Sequence, residues 1–254
     1  MKFLILKKHT LTITVLAIIL CSVLCLSFGE NSAASVFFGD NLKKVPIYSV
    51  QTEENKVAIS FDTAWGADKT QGIIDTLIEY KVGATFFMVG FWVEDYPEQA
   101  KAVADAGFEI GTHSDTHPDM VKLSASQMTA ELQSSMDKIQ STTGVTPTLF
   151  RAPYGSYNNL LLDTADSLGL TTIQWSIDSW DWQGLSASEI CNRIISRVTN
   201  GSIILCHNNA EHILEALPLI LDELQMRGYT VVGIEDLIYP DNYTVDRAGV
   251  QKQN

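Results

Sequence analysis

The 254-residue chain is poor in basic residues: 17 Lys and Arg stand against 30 Asp and Glu, a formal net charge of −13. A nucleic-acid partner is held through its phosphates by clustered Lys and Arg, so this composition argues against one. Cysteine is scarce too, at four residues, which excludes a small scaffold stapled by disulfides. No Gly-rich phosphate loop follows the first strand candidate, which continues as Phe61-Asp62-Thr63-Ala64-Trp65-Gly66, and a nucleotide site loses ground accordingly. Charged residues make up 19% of the chain and hydrophobic ones 46%. That apolar content can offset the entropy of ordering, so a wholly disordered chain is excluded.

Long hydrophobic runs are limited to the amino-terminal stretch Leu11 to Phe28. Lys2, Lys7 and Lys8 precede it, and no acid occurs before Glu30. A basic start, an apolar middle and small polar residues after it form a secretory layout. The run is also long enough to remain as a membrane anchor. Residues 1–35 are therefore expected to be a signal peptide or membrane anchor. The rest of the chain would then lie outside the cytoplasm, secreted or anchored in a bacterial cell envelope. Residues 36–55 read as a linker or extended lead-in.

From residue 56 to about 240 a pattern repeats. Short β-branched or aromatic runs (57–61, 84–89, 109–112, 148–151, 171–177, 202–206 and 230–234) alternate with amphipathic stretches near 69–81, 96–106, 126–142, 158–168, 187–198, 212–227 and 235–239. Thr70, Ser124 and Ser186 sit where N-caps belong, with Glu189 completing a capping box for Ser186. Gly83, Gly107, Gly144, Gly169 and Gly228 follow helix ends. Repeated strand–helix alternation implies parallel strands with helical crossovers, as either an open doubly wound sheet or a closed (β/α) barrel. Both architectures bind ligands at the carboxyl ends of the strands. Those ends carry Asp62, His113, Arg151, Asp178 and His207, a polar ring on an apolar sheet. Residues 241–254 read as a C-terminal tail.

His113 and His117 are four apart, the spacing of two imidazoles on one helical turn gripping zinc. The competing reading is a pair of solvated loop histidines. Asp62 can serve as general base or metal ligand. His207 ends an apolar strand and needs a partner, whereas His212 opens a helix as a surface residue. Asp178 and Asp181 flank Ser179-Trp180, with Trp182 next as a face for a sugar ring or a packing residue. Cys191 and Cys206 read as buried small hydrophobes.

Five ordered blocks carry a resemblance: Ser60-Phe61-Asp62-Thr63, His113-Ser114-Asp115-Thr116-His117, Arg151-Ala152-Pro153-Tyr154, Asp178-Ser179-Trp180-Asp181-Trp182 and Leu205-Cys206-His207. With these the chain resembles the polysaccharide deacetylases of the NodB-homology type, carbohydrate esterase family 4. Phe61 to Gly66 is similar to the sporulation-associated branch. The resemblance implies a distorted (β/α) barrel of about seven parallel strands and an exported, metal-dependent hydrolase that removes N-acetyl groups from a glycan. The substrate would be N-acetylglucosamine-type units of cell-wall or spore peptidoglycan, and the enzyme a monomer. It implies Asp62 as base, His113 and His117 as metal ligands, and Arg151 as the residue that keeps Asp62 ionised. Asp181 would orient His207, the general acid, while the Tyr154 backbone amide would meet the oxyanion and Trp182 would wall the acetyl pocket. The metal would be zinc, with cobalt, nickel and manganese as alternatives.

One position departs from the pattern. The family's first block usually ends in a second, metal-binding aspartate, and here that position is Thr63. Three outcomes are open: Asp62 turns to the metal, Asp68 or Asp115 substitutes, or the site binds metal weakly or not at all. The last case would leave a catalytically impaired glycan-binding or sporulation structural protein on the same fold.

Overall fold

The computed structural model describes residues 43–254. The expected export segment, and the first part of the lead-in, lie outside these residues. Among the described residues no helix is long and apolar enough to cross a membrane.

The strand β2 (Lys56–Thr63) is the centre of the sheet and is buried along almost its whole length. It pairs in parallel with β3 (Thr85–Met88), β8 (Ile203–His207) and β9 (Thr230–Val232). Outward from β3 run β4 (Glu109–Thr112), β5 (Leu149–Phe150) and β6 (Thr171–Thr172); beyond β8 lies β7 (Ile177–Asp178). Continuous apolar runs such as Val57-Ala58-Ile59 and Ile203-Ile204-Leu205 suit strands covered on both faces.

The sheet is curled. β6 and β7 occupy opposite ends of its strand order, yet only residues 173–176 separate them. Seven strands laid flat would span about 29 Å. The five residue steps from Thr172 to Ile177 reach about 18 Å at most, so the two edges must approach each other. Sequence pattern predicts one strand over 171–177. The structure splits it, because the same segment pairs first with β5 and then with β8 as it crosses between the edges.

Among the described residues seven α-helices cover the outside: α1 (Thr70–Tyr80), α2 (Gly90–Asp95), α3 (Pro97–Asp105), α4 (Ala125–Thr143), α5 (Asn159–Ser167), α6 (Ala187–Ile195) and α7 (Ile213–Met226). The α7 residues Ile213, Ala216, Leu217, Ile220, Leu221 and Leu224 are all buried, one apolar stripe at helical spacing. Ser124 with Gln127 and Ser186 with Glu189 both form capping boxes. Thr70 is not a cap: α1 is capped at Lys69 without a side-chain bond, and Thr70 is buried in the first turn. Gly83 has a different reason to be small, since a Cβ there would meet the Gly233 backbone nitrogen at 2.7 Å. The stretch 235–239 forms turns rather than a helix, and α2 was not legible as an element of its own.

The lead-in and the tail join each other. β1 (Ser49–Val50) lies parallel to β11 (Val250–Gln253), which pairs antiparallel with β10 (Tyr243–Val245). Read separately, the two segments looked like a linker and a tail. Their burial partners come from each other and from the barrel: Ile47 and Val50 pack with Ala58, Phe87, Leu149, Ile173 and Ile203. Residues Lys44–Asn254 thus form one unit.

Strand alternation then positions the chemistry. Val57, Ile59 and Phe61 face the helices, as do Ile110, Ile204 and Cys206. Ala58, Leu149 and Ile203 face inward. With a period of two, Asp62, His113, Arg151 and His207 fall on the inward side, at or just past the strand ends.

Candidate active site

These side chains meet at the carboxyl ends of the strands, on a cavity of about 500 Å³. Asp62, His113, His117, Tyr154, Trp182 and His207 line it. Arg151 and Asp181 stand behind, fully or almost fully buried.

Asp62 and Arg151 form one pair. The Arg151 Nη1 donates to Asp62 Oδ1 at 2.8 Å, with both side chains removed from water. The guanidinium also lies over the Phe87 ring, 4.1 Å from its centroid, so its plane is fixed. Burial works to raise the Asp62 pKa. The charge of His113, of Arg151 and of His207 works against it, and the carboxyl is held below its ordinary value. Arg151 is the cation hydrogen-bonded to it, whereas burial drives His113 towards its neutral form.

His207 and Asp181 form the second pair. Asp181 Oδ1 lies 2.7 Å from His207 Nδ1, and its Oδ2 accepts the His207 backbone N–H at 2.8 Å. Two bonds from one carboxylate fix both the ring and the strand end that bears it. Burial works to lower the His207 pKa, but the Asp181 hydrogen bond and the charges of Asp181, Asp62 and Asp178 raise it above the ordinary value. The ring is thus a better-than-usual proton holder. Asp62 and His207 are register partners on adjacent strands, so the two pairs open onto one cavity from neighbouring positions.

His113 and His117 sit on a loop after β4 rather than on a helical turn. Their rings lie 4.9 Å apart, and both Ser114 and His117 have positive φ. His113 Nδ1 is 2.7 Å from the Arg151 carbonyl, which therefore accepts its N–H and leaves Nε2 with the lone pair. His117 Nδ1 is buried without a hydrogen-bond partner, and burial with the nearby His113 lowers the His117 pKa to about 4. Of the six non-glycine residues with positive φ among the described residues, His117 and Tyr154 line the cavity, and Ser114 and Trp180 lie within two residues of lining positions. Strained backbone gathers where side chains must be aimed against local preference.

The family model "Polysaccharide deacetylase" matches residues 49–173. The chain is 31% identical to the peptidoglycan-N-acetylmuramic acid deacetylase PdaA of Bacillus subtilis, over 76% of this chain and 74% of that protein. The chain belongs to the polysaccharide deacetylase family. It is also 31% identical to the peptidoglycan-N-acetylglucosamine deacetylase PgdA of Listeria monocytogenes over 76% of its own length, but spans only 41% of PgdA. Among solved structures it is similar to BA3943 of Bacillus anthracis, described as a family 4 pseudoenzyme. The TM-score is 0.74, the identity 31%, and the match covers 78% of this chain and 70% of that one. A mutant of BA3943 with restored enzymatic activity is equally similar, with a TM-score of 0.74.

Four side chains are candidates for a third metal donor. The Thr63 hydroxyl is buried and donates to the Phe61 carbonyl at 3.2 Å. Asp115 turns to α4, where Ser134 Oγ donates to its Oδ2 and Lys138 Nζ lies 2.8 Å from its Oδ1. The Asp68 side chain stands in solvent beside Lys69. Asp62 Oδ2 comes within 3.4 Å of His113 Nε2, but its carboxylate is already engaged by Arg151. Among the described residues no group of three His, Cys, Asp or Glu side chains converges as a metal-ligating cluster. The donor set is two neutral imidazoles, one of them with an orphaned nitrogen, and it does not complete a three-ligand centre.

Trp65, Trp175 and Asn209 also line the cavity, and residue chemistry alone assigned them no role. Glu131 of α4 accepts the backbone N–H groups of Asp115 and Thr116 and the Thr116 hydroxyl, pinning the histidine loop. It lies on a polar helix face, and nothing in its spacing distinguishes it from a solvated acid. Asp178 lines the cavity too, with its pKa raised by burial.

Proposed function

We propose that the protein is an exported glycan N-deacetylase acting on N-acetylated hexosamine units of peptidoglycan. The observation that carries this is the pairing of a held carboxylate, Asp62, with a proton-holding imidazole, His207, across one cavity. Amide hydrolysis requires a proton taken from water and a proton given to the departing amine. Asp62, kept ionised by Arg151, would take the first. His207, kept protonated beside Asp181, would give the second. The Tyr154 backbone, in the left-handed region at φ 60°, would present its N–H to the oxyanion that forms on the acetyl carbon. Trp182 would wall the acetyl group. The names of PdaA and PgdA support peptidoglycan as the substrate class. The family's usual divalent ion, zinc first, finds only His113 and His117 here, and no step above runs through it.

A second reading has its own observation. With Thr63 in place of an acid, nothing polarises the acetyl carbonyl beyond the Tyr154 amide, and Asp62 is a weakened base. The protein would then bind acetylated glycan on this fold without turning it over at a useful rate, a reading that the similarity to BA3943 favours. One experiment separates the two. Acetate release from N-acetylglucosamine oligomers and peptidoglycan is measured with and without added zinc or cobalt. Release that disappears in His207→Ala supports the deacetylase; glycan binding without release under any of these conditions supports the second reading.

A further inference from the structure

Trp65 has no part in the chemistry above, yet it is a large apolar side chain left 54% exposed on the rim of the cavity. Its place is built. The turn that bears it passes through Gly66 at φ 62°, and the Gly66 carbonyl accepts two hydrogen bonds, from Trp92 Nε1 at 2.7 Å and from Asn208 Nδ2 at 2.9 Å. Both donors are buried residues, so the loop cannot swing without breaking them. The Trp65 and His117 rings meet edge to face, with centroids 4.9 Å apart, and Phe91 lies 6.5 Å away. His117 in turn meets Tyr154 at 4.8 Å. Tyr154, His117, Trp65 and Phe91 are thus linked ring to ring, and Trp65 joins the histidine of the cavity to its exposed rim.

We propose that Trp65 is a stacking platform for a sugar unit adjoining the one whose acetyl group enters the cavity, so that the protein selects a glycan strand over a single sugar. A pyranose presents apolar C–H faces and a polar rim, which fits a flat aromatic face open to water. The cavity is continuous with this face, so what covers Trp65 belongs to the same molecule that fills the cavity. A site for the acetyl group alone would need only Trp182 and its neighbours. This inference rests on the glycan-binding part of the proposed function but not on turnover.

The test is isothermal titration of the full-length protein with N-acetylglucosamine oligomers from monomer to pentamer, comparing wild type, Trp65→Ala and Trp65→Phe. Wild-type affinity is expected to rise with chain length. Trp65→Ala should lose about three- to ten-fold on the longer oligomers, with the loss shrinking towards the monomer, and Trp65→Phe should recover most of it. Circular dichroism and the His117 ring resonances check that the loop is intact in both variants. An equal loss at every chain length, or none, overturns the proposal. Wild type binding no oligomer overturns it together with the glycan reading. Length-dependent binding without acetate release upholds the platform while the deacetylase reading alone fails.

Discussion

The two halves of the cavity are built to different standards. On the β2 and β8 side every charged group faces an opposite charge: Asp62 has Arg151, whose Nε alone is left buried without a hydrogen bond, and His207 has both carboxylate oxygens of Asp181. On the β4 side His117 keeps a buried, unpartnered nitrogen, and the acid that the family pattern would bring from the end of β2 is replaced by Thr63. The proton-handling half is complete and the cation-holding half is not. Buried charge is tolerated only when paired, so the first half is rigid by necessity. The second is two neutral imidazoles, which cost less to leave incomplete.

The sharpest way to break the contrast is to disable the complete half. His207→Ala should lower acetate release by about 10²- to 10⁴-fold, as loss of a general acid does. An unchanged rate would remove His207 from the mechanism. Next, Arg151→Ala should leave Asp62 buried and unpaired and destabilise the fold by about 3–5 kcal/mol in chemical denaturation. The double variant with Asp62→Asn should recover part of that loss; no recovery would mean that Arg151 acts through packing on Phe87 instead.

Repairing the incomplete half is the third test. Thr63→Asp should raise zinc affinity by at least about ten-fold, equivalent to about 1.4 kcal/mol, and raise zinc-dependent acetate release. If metal binding and rate both stay where they are, the half is not limited by this ligand.

The smallest effect concerns pH. The folded His207 pKa is raised, so its contribution to stability is fully present below the unfolded value of about 6.5 and is lost as pH rises through the folded value. Asp181→Asn should bring the His207 ring resonances back towards the ordinary titration range and flatten the decline in stability above about pH 6.5. A ring that titrates identically in both proteins would show that Asp181 does not set its charge.

Much of this was legible in the residues. Apolar strand runs, Ser124 and Ser186 caps and amphipathic stripes such as that of α7 are local features, and they appear where expected. Polar residues ending apolar strands pointed to Asp62, His113, Arg151 and His207. What was missed depends on contacts far apart in the chain. The split of 171–177 follows from curling, which no local pattern carries. The pairing of 49–50 with 250–253 joins segments two hundred residues apart. The helical spacing of His113 and His117 misled because a loop with two left-handed residues achieves the same proximity.

By itself the sequence determined the alternation of strand and helix, the polar ring at the strand ends and the absence of an acid at position 63. Each is a property of residue type and order. Only the tertiary structure decided which acids face the cavity. Asp115 stands between the two histidines in the chain and Asp68 six residues after Asp62, but Lys138 holds the first and solvent the second away from the site. A side chain's direction is set by the backbone's turn and by whichever partner offsets its burial, and both are fixed only when distant strands come together.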